Sequence, residues 1–241
     1  SQASRQRNVF MRNDGHGRFT PVSWTDGTFL DADGKALTQP FFDWGLSAMF
    51  RDLNGDGAPD LYVCNDFISP DRIWINDGRG HFRPIPQLAI RQTSLSCMGL
   101  DIGDLNRDGY PDIFLLDMLS PRHERRFMQR VELRPDIPPF GAVDYRQQSS
   151  RNMLLLNRGD TTFAEVAQLC GLEAAEWAWT PILLDVDLDG YEDVIVASGF
   201  ERDGMNMDVI KQLETLKKAK AMSPIEQLRL RKLFPKLETG T

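Results

Sequence analysis

Three copies of one nine-residue phrase hold the residues best suited to chemistry. They read Asp52-Leu-Asn54-Gly-Asp56-Gly57-Ala-Pro-Asp60, Asp104-Leu-Asn106-Arg-Asp108-Gly109-Tyr-Pro-Asp112 and Asp185-Val-Asp187-Leu-Asp189-Gly190-Tyr-Glu-Asp193. Oxygen-bearing side chains at positions 1, 3, 5 and 9 can wrap a short loop around a hard cation. Glycine at position 6 permits the sharp turn, and the backbone carbonyl at position 7 (Ala58, Tyr110, Tyr191) adds one more oxygen. An irregular all-oxygen loop suits calcium better than magnesium, which demands near-octahedral geometry, while zinc and copper would want His or Cys. The expected centres are therefore three Ca2+ sites. The side-chain ligands are Asp52, Asn54, Asp56 and Asp60, then Asp104, Asn106, Asp108 and Asp112, then Asp185, Asp187, Asp189 and Asp193. The third loop has Asp187 where the others have Asn, so its four carboxylates predict the tightest binding. An EF-hand shares positions 1, 3, 5 and 6 but needs a bidentate Glu at position 12 and flanking helices. Position 12 here is Val63, Leu115 and Val196, each inside an expected strand. Ligands confined to a tight hairpin leave no evident open position for water and substrate, which points to a structural role for the ion.

The elements that must position these loops repeat as well. Each loop runs into a β-rich apolar stretch: Leu61-Tyr62-Val63, Ile113-Phe114-Leu115-Leu116, Val194-Ile195-Val196. A second phrase, an apolar strand, an Asn/Asp-Gly turn and an aromatic-led strand, occurs at 8–19, 72–82 and 152–163, and reads as a hairpin. From Asn76 to Asp104 is 28 residues, and from Asn157 to Asp185 is again 28. Four short strands in about 50 residues, repeated, is the pattern of a propeller blade. The chain is thus expected to be one all-β domain, an incomplete β-propeller with short α-helical insertions. Its parts are a half blade at 8–22, a blade at 44–88, a blade at 96–168 interrupted by a helical insertion at 119–150, a half blade at 177–198 and a helical segment at 205–234. Residues 23–43 read as a linker.

Within the insertion, Ser120-Pro121 predicts a helix start, Phe127, Met128 and Val131 a shared apolar face, and Arg122, Arg125, Arg126 and Arg130 a solvated basic face. Pro135, Pro138 and Pro139 then predict an irregular crossing back to the sheet. Further on, Val209, Ile210, Leu213 and Leu216 make a helical stripe, and Ser223-Pro224-Ile225-Glu226 a capping box opening a second helix through Leu228 and Leu233. A propeller removes its strand edges by closing a ring. So few units predict that the remaining blades come from the same or another chain, or that helices cover the edges.

The net charge of −7 argues against nucleic acid, which wants a basic stripe, and three divalent ions would offset most of it. No apolar run approaches the roughly 20 residues of a membrane span. No charged-then-apolar leader opens the sequence, so a secretion signal is expected to be removed or to lie outside it. Cys64, Cys97 and Cys170 lack metal spacing and read as three small buried hydrophobes rather than a disulfide or thiolate ligands. No serine elbow, phosphate loop, HExxH or Cys/His pairing is present, and no enzyme activity is expected. Trp44, Trp177 and Trp179, each close ahead of an inner strand, are the candidates for lining a ligand pocket, with inter-blade core as the plainer expectation.

The acidic loops together with Leu61-Tyr-Val-Cys-Asn65-Asp66-Phe67, the Leu116-Asp-Met-Leu119 break, the Arg151-Asn-Met-Leu-Leu-Leu-Asn157 re-entry and Trp177-Ala-Trp179 resemble the FG-GAP/VCBS repeat family. These are calcium-loop β-propellers also seen in integrin α-subunit headpieces. Within the family the chain looks most like bacterial proteins similar to cartilage acidic protein, which often carry a C-terminal ASPIC/UnbV domain; no such domain is expected within residues 1–241. The resemblance covers nearly all of residues 8–210. It implies a seven-bladed ring, an exported protein (secreted, periplasmic or cell-surface) and a protein- or glycan-binding or adhesion role. It leaves open a propeller within a lyase-like polysaccharide-active enzyme, or a purely structural scaffold of a larger protein.

Overall fold

A computed structural model describes residues 8–67, 69–129, 146–219 and 223–237. The first hairpin joins β1 (Phe10–Asn13) to β2 (Phe19–Val22). A four-stranded antiparallel sheet follows in the order β3 (Gly45–Arg51), β4 (Asp60–Asn65), β5 (Arg72–Asn76), β6 (Phe82–Pro84). After a short β7 (Gln92–Ser94) come β8 (Gly99–Gly103) and β9 (Asp112–Leu116), completed after the insertion by β11 (Met153–Asn157) and β12 (Phe163–Glu165) in the order β8-β9-β11-β12. Inserted between these, β10 (Gln147–Ser149) pairs in parallel with β7. A last hairpin pairs β13 (Ala178–Leu184) with β14 (Asp193–Ser198). The two full sheets are propeller-type blades, and the molecule is mostly antiparallel β with few short helices.

Period-2 alternation divides each central strand between two cores, because successive side chains in a strand point to opposite faces. Tyr62 and Cys64 of β4 face the second blade, where they meet Cys97, Leu100, Ile113 and Leu115 in one buried cluster. Leu61 and Val63, one residue out of phase, join Trp74, Phe82 and Phe29 on the opposite side. Likewise Phe114 and Leu116 of β9 pack toward Ala178, Leu183, Val194 and Val196 of the last hairpin. The blades therefore stack face to face, with β8 lying between β3 and β13. Gly99 allows that approach: a Cβ there would collide with the Trp179 carbonyl oxygen.

Several expectations change. Residues 23–43 are more than a linker: Phe29 is 0 % exposed and its neighbours extend the sheet, Leu30 N donating to Phe82 O and Phe82 N to Thr28 O. Helix α1 (His123–Met128) starts after Arg122, and the Ser120 hydroxyl instead accepts from Arg122 N and donates to Glu176. Phe127, expected on a packed face, is 77 % exposed. The basic face is not simply solvated, because Arg125 pairs with Glu176 and Asp203, and Arg126 with Glu173. Arg130, Val131, Pro135, Pro138 and Pro139 lie outside the described residues.

A four-residue helix, α2 (Ala167–Cys170), follows β12 and ends on Gly171 in the left-handed region, φ 72°. Cys170 at its end is exposed, unlike Cys64 and Cys97. Beyond β14, helix α3 (Met207–Ala219) keeps Val209, Ile210 and Leu213 half-buried. Helix α4 (Pro224–Leu230) opens on the Ser223/Glu226 capping box with proline in its first turn, and Arg231–Leu233 add a 3-10 turn. Leu228 and Leu233 are exposed. The chain then returns to the last hairpin through Asp203 N to Pro235 O and Leu237 N to Glu201 O.

Candidate metal loops and aromatic cluster

Each acidic loop connects the first to the second strand of its blade, so stacking places all three loops at one end of the molecule. Arg107 of the second loop lies over the Tyr191 ring of the third, 5.0 Å from its centroid. On the other side, Asn157 Nδ2 donates to Leu53 O of the first loop at 2.8 Å.

The loops share one internal wiring. The position-1 carboxylate accepts backbone N–H groups from across the turn. Asp52 takes Gly55, Asp56 and Gly57, Asp104 takes Asp108 and Gly109, and Asp185 takes Asp189 and Gly190. Position 3 (Asn54, Asn106, Asp187) accepts from the position-5 N–H, and the position-5 carboxylate from the N–H of position 7 (Ala58, Tyr110, Tyr191). The backbone donors of each turn thus face the side chains of its own loop. Position 4 is left-handed in all three loops, at Gly55 (φ 77°), Arg107 (φ 59°) and Leu188 (φ 62°). That requirement was missed in the sequence, although Gly55 signals it.

Position 9 separates the loops. Asp60 is 0 % exposed and accepts Leu53 N on one oxygen and Asn76 N on the other, each at 2.8 Å. Asp112 is equally buried and accepts Leu105 N and Asn157 N. Thus the asparagine of the repeated hairpin phrase anchors the closing carboxylate of its own blade, and its Nδ2 also donates to the position-8 carbonyl (Pro59, Pro111). Burial pushes Asp60 and Asp112 up to about 6, against those donors and with the like charges of Asp56 and Asp52, or Asp108 and Asp104, acting in the same direction. Asp193 by contrast is exposed and accepts from Val186 N at 3.1 Å.

The donor set fits a hard divalent cation: every candidate atom is oxygen. In the third loop, Asp185, Asp187 and Asp193 offer carboxylate oxygens within 4.8 Å of one another. Like charges that close favour a counter-ion. In the first two loops the Asn54 and Asn106 amides donate to Asp56 Oδ2 at 3.0 Å and Asp108 Oδ2 at 2.9 Å, joining the position-3 and position-5 side chains.

The three candidate tryptophans fall into two places, at the opposite end from the loops. Trp177 stacks on Phe200, with centroids 3.9 Å apart and planes 18° apart, and Trp179 lies nearly parallel to the same ring at 5.8 Å. Trp179 and Phe200 are 41 % and 39 % exposed, so Trp179 is not closed inter-blade core. Trp44 packs instead edge-on against Phe67. Phe200 was not singled out in the sequence; it follows β14 with no periodic signal.

Stacked antiparallel blades, each opened by a nine-residue acidic turn, define a propeller-type repeat protein. Residues 52–115 match the FG-GAP-like repeat model, and that segment is an FG-GAP-like repeat. Integrin alpha-7 of Homo sapiens is 32% identical over 116 residues, 44% of this chain and 9% of its own length. The Rattus norvegicus and Mus musculus proteins align over the same shares at 31% and 32% identity. The match thus spans a small part of these relatives. A solved structure of an Agrocybe aegerita lectin, described by its recognition of non-reducing terminal N-acetylglucosamine, aligns over 80% of this chain and 41% of the lectin chain at 19% identity and a TM-score of 0.39. Among the described residues no helix is long and apolar enough to cross a membrane.

Proposed function

We propose that the chain is part of an exported, calcium-clamped propeller that acts as an interaction or adhesion module and not as an enzyme. The observation that carries this reading is the third loop, where three carboxylates converge on one point while backbone donors hold the turn. The twelve side chains of the three loops, with the carbonyls of Ala58, Tyr110 and Tyr191, would hold three ions. Bound there, an ion would supply positive charge against carboxylates that otherwise repel, and the residues of each loop would tie its hairpin through it. Millimolar extracellular calcium would fill even weak loops of this kind. Similarity to integrin alpha-7 supports a surface or extracellular setting and a protein-facing role. The bacterial, cartilage acidic protein-like subfamily and a seven-bladed ring completed by further blades belong to the same proposal.

The partner, a protein or a glycan, is assigned to the aromatic end at Trp177, Trp179 and Phe200, with Trp44 left aside because it packs elsewhere. The buried carboxyls outside the loops have internal tasks. Asp71 accepts from Tyr62 and from Asn65 N, and Asp117 from Ser94 and the N–H groups of Leu95 and Ser96. Calorimetric titration of calcium into chelator-stripped protein tests the clamp, with heat saturating at up to three ions expected. A protein that takes up no calcium overturns it. A glycan and protein array with Trp179→Ala as control then tests the aromatic end.

A further inference from the structure

Cys64 sits in β4 on the face that packs against the next blade, and Cys97 lies just ahead of β8 in that blade. Cys97 N donates to Asn65 O at 3.0 Å, so the two backbones are tied beside the side chains. The sulfurs are 2.6 Å apart and both residues are 0 % exposed. That separation is well inside the contact distance of two unbonded sulfurs and approaches the roughly 2.05 Å of an S–S bond. Tyr62, Ile73, Leu100 and Leu115 share one buried cluster with the pair.

We propose that Cys64 and Cys97 form a disulfide that covalently joins the two full blades, leaving Cys170 as a single exposed thiol. The step is thiol–disulfide exchange with a small-molecule or protein disulfide. The thiolate of one cysteine attacks that disulfide and releases one thiol. The second cysteine then attacks the mixed disulfide and releases the other, so two protein thiols are oxidised while one external disulfide is reduced. Burial pushes both thiols up, Cys97 most strongly, with Asp71 as a nearby like charge. Exchange therefore belongs to folding, before the blade faces close, and the finished bond is shielded from reductant. Persistence of the bond in the cell rests on the proposed export, since oxidising compartments retain such bonds; its formation in vitro does not.

The test uses the full chain, denatured, reduced and refolded in a glutathione redox buffer with calcium present. It is then denatured in excess alkylating reagent and weighed by mass spectrometry. The expected result is one alkylated cysteine, Cys170, and a proteolytic fragment linking Cys64 to Cys97 that reductant separates. Oxidised protein should unfold about 5 °C or more above reduced protein, because the link closes a long loop in the unfolded chain. The Cys64→Ser/Cys97→Ser variant should lose that gap. Three alkylated cysteines in refolded protein, or a link through Cys170, overturns the proposal. Calcium uptake is read separately by titration, so failure of the clamp and failure of the bond give different results.

Discussion

The first and third acidic loops spell nearly the same phrase but stand in different surroundings. Asp60 closes the first loop from inside the molecule, held by Leu53 N and Asn76 N. Asp193 closes the third from the surface, with the N–H of Val186 as its donor. The first belongs to a four-stranded blade covered on both faces, whereas Ile182, Leu184 and Ile195 of the last hairpin are 44 %, 53 % and 45 % exposed. One motif can thus be an internal strut, built into its blade, or a surface loop held by its own internal hydrogen bonds.

The largest expected effect breaks or keeps this contrast directly. Thermal unfolding in calcium against chelator should differ by about 2.7 kcal/mol for each site held at 100-fold above its dissociation constant. Asp187→Asn, which gives the third loop the side chains of the other two, should weaken the tightest site in calorimetry. If that site is unaffected, the ranking by carboxylate count is wrong. Next in size is a pair of truncations in chelator. Asp112→Ala strands two buried N–H donors and should cost about 2–5 kcal/mol, while Asp193→Ala, at the surface, should cost under about 1 kcal/mol. Equal losses in denaturant titration would erase the distinction between strut and surface loop.

A third measurement concerns pH in the stacked region alone. Burial holds Asp71 up at about 7, so the folded state keeps a proton that the unfolded chain releases near its ordinary value of roughly 3.9. The native state binds more protons between those values, and this group's contribution to stability falls as pH rises from about 4 to about 7. Asp71→Asn should reduce that slope in denaturant midpoints taken across the window, most of all near its upper end, because Asp60 and Asp112, raised to about 6, contribute in the same direction below it. An unchanged slope would remove Asp71 as its source. The smallest effect is local: Leu188→Gly should relieve the left-handed strain of the third loop by about 1 kcal/mol or less, whereas Gly55→Ala should introduce it in the first.

Much of this was legible from residue spacing. The alternation of Leu61, Tyr62, Val63 and Cys64 is a local signal, and it assigns each residue to a face without knowledge of the partner. The acidic phrase is local too, and its internal hydrogen bonds span at most seven residues. What spacing could not show is which distant group completes it. Asn76 and Asn157 were visible as hairpin residues, but their grip on Asp60 and Asp112 depends on blade pairing. The role of Phe29 was hidden because its segment lacks alternation and is anchored by Phe82, more than 50 residues away. Arg125 and Arg126 looked solvated because Glu173, Glu176 and Asp203 lie some 50 to 80 positions along the chain.

The tucked segment at Phe29 also bears on how the protein behaves in a crowded solution. An outer strand normally exposes unpaired N–H and C=O groups that invite a foreign strand and start aggregation. Here Thr28 and Leu30 exchange hydrogen bonds with Phe82, so the rim of the first full blade is occupied by the chain's own backbone. Loosening that segment, for example by Phe29→Ala, would expose the edge and turn a folding residue into a guard against self-association lost.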